Sequence, residues 1–265
     1  MSECAATASS MLSFRVRKMG WAVQLLEKSS SYSSETSFDS GMSDNTSTQL
    51  VFVAQTDEHV FLWDSVPWTI KEWTTPRDQI QLLRARILSP QSFSNHLAIS
   101  DNPLVVSGRP QHNHTNRPTL SSISSSSKIA IRYGGDQGLA CYTFQLATRL
   151  AHAAWLASLV QGTLAAARNV GQVKFTCVWK NQDCCLTVHL ERGFILSDSS
   201  SGKELWTHPY NTLSASNDDG AKLLWLQFRG SSQEDEFVLQ VNPKVVVFTI
   251  HNFLSAKLQM LGKAI

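Results

Sequence analysis

Two adjacent cysteines and two closely spaced histidines are the residues whose types suggest chemistry. Cys184 and Cys185 would point to opposite faces of a strand, so we expect one of them to be a small core residue. His112 and His114 lack a third metal ligand. The sequence shows no specific combination of a nucleophile, a base and an orienting group. A cysteine-dependent hydrolase stays open as a third hypothesis, because distances in the folded protein cannot be read from the sequence. We therefore predict that the protein is not an enzyme and holds no cofactor or metal.

A second kind of chemistry is the binding of phosphorylated lipid headgroups by basic side chains. Arg15, Arg17 and Lys18 form a basic cluster near the start of the chain. The serine-rich segment after Lys28 brings three acidic residues, so a headgroup would meet repulsion on that side. Lipid contact by these three residues is an alternative to the simpler interpretation, in which the two arginines belong to one solvated strand face.

The overall charge argues against a nucleic-acid partner. The 265-residue chain has 23 lysines and arginines against 21 acidic residues, and neither sign forms a long run. Five cysteines without a CxxC pair fit a reducing cytosol. The first residues lack the features of a leader peptide, and no apolar run approaches the roughly 18 residues of a membrane span. We expect a cytoplasmic protein that is neither secreted nor integral to a membrane.

The first half of the chain predicts one strand-rich domain over residues 14–170. A small and polar lead-in over residues 1–13 precedes it. Two serine-rich insertions, near 29–48 and 107–127, interrupt the apolar pattern and are expected to be long loops.

Within this domain the apolar spacing predicts several strands and one closing helix. The strands are expected at 14–26, 50–54, 59–63, 128–133 and 139–146. Residues 79–88 show a mixed helical pattern. Thr148 is placed to cap a helix over 149–170, with its buried face around Trp155. That face is expected to contain Leu156, Leu159, Val160, Thr163 and Leu164.

Residues 171–265 repeat this order of elements. Strands are predicted at 173–178, 184–189, 194–197, 223–228 and 236–241. Asn242 and Pro243 fit the cap and first turn of a final helix, and Gly262 fits its end. The predicted fold class is mainly β with C-terminal helices (α+β): two tandem barrels, each closed by one helix. Because the halves share no residue-level repeat, a different strand-rich fold is the alternative.

The final helix carries apolar residues on more than one face. One stripe, expected to pack on the protein's own core, contains Val247, Ile250, Leu254, Leu258 and Leu261. The other contains Val246, Phe253 and Met260, and needs a second domain, a partner chain or more of the same core. As residues that bind a partner helix in an apolar groove we predict Val246, Phe253, Lys257 and Met260.

Three sequence blocks resemble, in the same order, the carboxy-terminal unit of the syntrophins. They are VWKNQDCCLTVHLERGFIL at 178–196, NDDGAKLLWLQFRG at 217–230 and HNFLSAKLQMLG at 251–262. The resemblance covers 173–265 and continues through WLASLVQG at 155–162 and KMGWAVQLLEK at 18–28, which are similar to the family's second pleckstrin-homology (PH) domain. It implies that both barrels are PH-like and that 171–265 is the syntrophin-unique domain. No segment resembles the family's PDZ domain or its split first PH domain.

The resemblance also implies a function. Syntrophins are adaptors of the dystrophin complex, so we expect a non-enzymatic scaffold that docks helical segments of dystrophin, utrophin or dystrobrevin. The implied location is the cytoplasmic face of the plasma membrane, as a peripheral, cytoskeleton-associated protein, with actin as a further partner. The family is also associated with calmodulin, but no basic amphipathic helix in this sequence supports that partner. The alternative function is a peripheral phosphoinositide-binding PH module.

Overall fold

The computed structural model describes residues 15–26, 47–88, 127–231 and 233–263. The predicted lead-in over 1–13 and nearly all of the two serine-rich insertions lie outside these residues. The described part forms two units with the same arrangement of strands, and each unit ends in a long helix.

The first unit contains a seven-stranded antiparallel sheet. Its elements are β1 (Val16–Leu26), β2 (Ser47–Thr56), β3 (His59–Trp63), α1 (Ile70–Trp73), β4 (Asp78–Gln81), a 3-10 turn (Leu82–Arg84), β5 (Ala85–Leu88), β6 (Lys128–Gly135), β7 (Gly138–Gln145) and α2 (Arg149–Val170). The strand order is β4-β3-β2-β1-β7-β6-β5, so the first strand lies in the middle and joins the two ends of the unit.

The second unit repeats this plan. Its elements are β8 (Gln172–Trp179), β9 (Gln182–His189), β10 (Gly193–Asp198), β11 (Glu204–His208), a 3-10 turn (Tyr210–Thr212), β12 (Leu213–Asp218), β13 (Leu223–Phe228), β14 (Asp235–Leu239) and α3 (Pro243–Met260). The strand order is β11-β10-β9-β8-β14-β13-β12. Again the first strand pairs with both the second and the last, which is the same topology as in the first unit.

The predicted fold class, mainly β with closing helices, is confirmed. The helix predicted from Thr148 onward spans the expected residues, and the Thr148 side chain accepts a hydrogen bond from the Ala151 amide. The helical interpretation of 79–88 is wrong, because these residues form β4, the 3-10 turn and β5. Their backbone pairs with β3 and β6, and β6 is distant in sequence, so local spacing does not reveal this pairing.

Helix α3 packs against both units. Its own sheet receives buried apolar side chains, while the Asn252 side-chain amide donates to the carbonyl oxygens of Leu83 at 2.8 Å and Ala85 at 2.9 Å in the first unit. The helix also lies against β6, where a Cβ on Gly134 would come 2.7 Å from the Lys244 carbonyl group. Only glycine allows that approach, so α3 fixes the two units to each other.

The second apolar stripe of α3 is covered by the protein itself at Val246 and Phe253, which is one of the alternatives that the sequence left open. Val246 and Phe253, assigned to a partner, are both 0% exposed in the protein's own core. Leu258 and Leu261, assigned to the core, are exposed. Ile250 of the predicted core stripe is 4% exposed, so both stripes are covered along most of α3 and exposed near its C-terminal end.

Candidate partner-docking surface

Helix α2 presents an apolar face to solvent. Leu150 is 82% exposed, and Val160 is exposed two to three turns further along. Between them lie three exposed alanines, Ala153, Ala154 and Ala157. These positions recur at three- and four-residue steps, which is the spacing of one continuous helix face. An exposed stripe of this kind on an ordered helix is a candidate contact surface for another protein.

The opposite face of α2 is held firmly in the first unit. Trp155, Leu159 and Leu164 lie in the core. The Gln55 side-chain amide donates to the Ser158 carbonyl at 2.9 Å, and a Cβ on Gly162 would lie 2.4 Å from that amide nitrogen. The exposed stripe is therefore presented by a rigid element, and Val160, predicted for the buried face, belongs to the exposed one.

The end of α3 adds a second group of exposed apolar side chains. Leu258, Met260 and Leu261 are exposed, with Met260 at 51%. The Arg168 guanidinium of α2 donates to the Gln259 side chain at 2.8 Å, which brings the ends of the two helices together. We call the exposed stripe of α2 together with the exposed apolar residues at the end of α3 the helix surface: Leu150, Ala153, Ala154, Ala157, Val160, Leu258, Met260 and Leu261.

The helix surface is apolar and basic. Neither α2 nor α3 contains an aspartate or glutamate. Arg149 and Arg168 are exposed on α2, and Lys257 of α3 forms an ion pair with Glu191. A partner that places acidic residues beside an apolar stripe would complement this surface.

Of the four residues predicted to bind a partner, two are excluded by burial. Val246 and Phe253 are fully covered by the protein itself, so the prediction is wrong for them. Met260 is exposed and belongs to the helix surface. Lys257 stays a prediction, with its ammonium group already paired to Glu191.

The three basic residues predicted for lipid contact are not brought together. Arg17 lies at a β-bulge and its guanidinium pairs with Asp57. The Lys18 ammonium lies 5.5 Å from the Trp155 ring centroid, on the side of α2. Arg15 is exposed at the beginning of the described chain. A pocket formed by all three is therefore absent from the described residues, and lipid contact by Arg15 stays a prediction.

The buried thiols of Cys177 and Cys184 in the second unit are poorly suited to nucleophilic chemistry. Burial raises the pKa of Cys177 to about 12, with a contribution from Cys184. Burial also raises the pKa of Cys184, which is fully buried, whereas Cys185 is half-buried. A raised thiol pKa leaves little thiolate at neutral pH. In the described ranges no three His, Cys, Asp or Glu side chains are grouped as a metal site, and His112 and His114 lie outside those ranges.

Among the described helices, α2 is the one that is long and apolar enough to cross a membrane. However, 39% of its most apolar 18-residue stretch is buried inside the protein. Its core contacts through Trp155 and Leu159 show that it closes the first sheet. The apolar content of α2 is therefore explained by a buried face and an exposed stripe on the same helix.

The chain is similar to known proteins over most of its length. Residues 168–263 match the syntrophin C-terminal PH domain. Syntrophin-1 of Caenorhabditis elegans is 30% identical over 211 residues, which are 80% of this chain and 43% of that protein. Beta-2-syntrophin of Homo sapiens is 32% identical over 80% of this chain and 35% of that protein. Beta-2-syntrophin of Mus musculus is 31% identical over 80% of this chain and 36% of that protein. The chain thus spans about two fifths or less of the length of these relatives.

Proposed function

The chain belongs to the syntrophin family, which supports a non-enzymatic adaptor role, and we propose that it docks helical segments of dystrophin, utrophin or dystrobrevin. The observation that carries this proposal is the exposed apolar stripe of the rigid helix α2, a helix that contains no acidic residue. The partners themselves come from the family resemblance, and the surface supplies the place where they would bind.

The proposed mode of binding is packing of one helix on another. The alanines at 153, 154 and 157 allow a partner helix to approach closely, since interaxial distances depend on the side chains at the contact. Leu150 and Val160 then border the contact as larger apolar groups. A partner helix with apolar residues at three- and four-residue steps and acidic residues on both sides would match the apolar stripe and the arginines.

The cellular setting follows from the same proposal. An adaptor docked on dystrophin-type proteins would lie at the cytoplasmic face of the plasma membrane, as a peripheral protein linked to the cytoskeleton. Actin is a further proposed partner, and no group of described residues is assigned to it. The proposed docking surface contains no residue of the serine-rich insertions.

The experiment is a calorimetric titration of the full chain with the helical carboxy-terminal region of dystrophin. We expect saturable one-to-one binding that Ala157→Glu weakens by at least about tenfold, because it places a carboxylate in the middle of the apolar stripe. The matched control is Trp68→Asp, which changes an apolar side chain that is 64% exposed beside α1, away from α2. The control should bind like the parent chain.

Two results would contradict the proposal in different ways. Binding lost in Trp68→Asp but kept in Ala157→Glu would move the docking site to the α1 side of the first sheet. No binding of the parent chain at tens of micromolar would contradict docking by this chain alone. Circular dichroism of each variant must match the parent, so that loss of binding is not loss of fold.

A second candidate function, peripheral binding to phosphoinositide membranes, rests on the exposed Arg15. Its support is weaker, because Arg17 and Lys18 already contact Asp57 and Trp155. The double variant Arg15→Glu with Arg17→Glu should abolish liposome binding and leave the dystrophin titration unchanged if this function is present. Unchanged liposome binding in the double variant would remove these residues from consideration.

A further inference from the structure

Two arginines face each other across the last two strands at one edge of the first sheet. Arg86 of β5 and Arg132 of β6 are directly opposite in the antiparallel register. Like charges in directly opposite positions destabilise a sheet. Both side chains are half-buried, so they have lost part of the water that would screen their repulsion. The pair is therefore unfavourable unless a negative charge lies beside it.

A third basic group comes from α3. The side chain of Asn252 donates to the Ala85 carbonyl at 2.9 Å, so the adjacent residues His251 and Arg86 lie near this contact between the two units, and the charge of Arg86 acts on His251. His251 is half-buried, and its Nδ1 atom is buried without a hydrogen-bond partner among the described residues. Three basic residues on β5, β6 and α3 thus lie at this junction: Arg86 opposite Arg132 in the sheet register, and His251 beside the Asn252 contact.

The acidic side chains of this region have other partners. Asp136, in the turn after β6, lies 3.7 Å from Arg84, and Asp218 lies 3.0 Å from Lys244. Among the described residues neither Arg86 nor Arg132 forms an ion pair. The positive charge at this junction therefore lacks a counter-charge from the part of the chain that the structure describes.

The titration properties of Arg86 and His251 agree with their positions. Burial lowers the pKa of Arg86, and Arg132 lowers it further. Burial also lowers the pKa of His251, and the positive charge of Arg86 adds to the effect. Arg86 and His251 are therefore each less easily charged than they would be in water.

We propose that Arg86, Arg132 and His251 form a binding site for a phosphate-type oxyanion, either free phosphate or a phosphorylated lipid headgroup. Guanidinium groups donate paired hydrogen bonds to such an anion, and the imidazole supplies a third donor. The bound anion would turn the Arg86–Arg132 repulsion into attraction to a shared partner. Two of these residues belong to the first unit and one to α3. A bound anion would therefore stabilise the junction between the units. The site is separate from Arg15, Arg17 and Lys18.

The test is thermal unfolding of the full chain in phosphate and in chloride, at the same pH and ionic strength. We expect phosphate to raise the midpoint of the parent chain by about 3 °C. Arg86→Gln and Arg132→Gln should each lose this rise and be at least as stable as the parent in chloride, since each removes the repulsion. The matched control is Arg229→Gln, an exposed arginine of the second unit, which should keep the full rise.

Vesicle co-sedimentation then distinguishes the two sources of the anion. Vesicles of phosphatidylcholine with phosphatidylinositol bisphosphate are compared with vesicles of phosphatidylcholine alone. Retention that depends on both Arg86 and Arg132 identifies a lipid headgroup, whereas stabilisation by phosphate without retention identifies a free anion. Either result supports the site.

An equal phosphate effect in the parent and in both arginine variants would overturn the proposal, since it would reflect an adventitious ion only. The absence of both phosphate stabilisation and arginine-dependent vesicle retention would overturn it as well. Should a glutamine variant fail to fold, His251→Gln serves as the second test and should reduce the phosphate-induced rise. A full rise in His251→Gln would remove the histidine from the site.

Discussion

The two long helices close sheets of the same topology, but they are buried to different extents. Helix α2 buries one face and leaves a stripe from Leu150 to Val160 exposed. Helix α3 buries Val246 and Phe253 in the core and Asn252 against the first unit. The difference shows that two apolar faces on a helix do not mean that a partner protein is missing. In α3 the second neighbour is the first unit, whereas in α2 the exposed stripe remains available.

The largest effect expected from this comparison is at Phe253. Phe253→Ala should lower the free energy of unfolding by about 3–5 kcal/mol, because a fully buried aromatic ring is replaced by a cavity. Urea denaturation of the full chain measures it. Met260→Ala, on the same helix but exposed, is the control and should change stability little. A loss below about 1 kcal/mol in Phe253→Ala would mean that α3 is not the shared core helix described above.

A smaller effect is expected at the contact between α3 and the first unit. Asn252→Ala should cost about 1–3 kcal/mol, because the carbonyl oxygens of Leu82, Leu83 and Ala85 lose their side-chain donor. Denaturation monitored separately by signals from each unit would show whether the units still unfold together. The control is Asn169→Ala, an exposed asparagine near the end of α2. Equal stabilities of the two variants would contradict a structural role for Asn252.

The acid sensitivity of α3 should be smaller again. Burial holds the folded-state pKa of His251 below its ordinary value of 6.5, so the unfolded chain takes up this proton first as the pH falls. In chloride buffer, the contribution of His251 to the free energy of unfolding should therefore be constant well above pH 6.5 and should decrease as the pH falls below it. His251→Gln should flatten this decrease. Burial lowers the pKa of His59 in the first unit too, so part of the slope should remain.

The smallest effect on stability is expected on the exposed stripe of α2. Leu150→Ala should change the free energy of unfolding by no more than about 0.5 kcal/mol, because the side chain is 82% exposed. The same variant should weaken the dystrophin titration, which separates binding from folding. A loss of more than about 1 kcal/mol would show that Leu150 packs on the protein and not on a partner.

Local signals in the sequence predicted the elements of the fold well. The helix starts are examples. The side chains of Thr148 and Asn242 accept hydrogen bonds from backbone amides in the first turns of α2 and α3, and Pro243 occupies the first turn of α3. These roles depend on a few neighbouring residues, so they can be read from the sequence. Most strands followed from apolar alternation. The strands β11 and β12 were not predicted, because β12 carries mainly small and polar residues and β11 is short and exposed.

The sequence did not predict which distant residues meet at the candidate sites. The neighbours of the two α3 stripes were left open, because spacing shows that two stripes exist and not which neighbour covers each. On α2, Val160 was placed in the core for the same reason. Arg86 and Arg132 are distant in sequence and meet only through the register of β5 and β6, so no local pattern could have joined them.

The position of α3 has a consequence for proteolysis of the chain. Gly171, with φ at +69°, links α2 to β8 and is the covalent connection between the units. Yet the contacts of Asn252 with Ala85 and of Lys244 with Gly134 do not depend on that link. A single backbone cut at Gly171 should therefore yield two fragments that elute together under native conditions and separate only in denaturant.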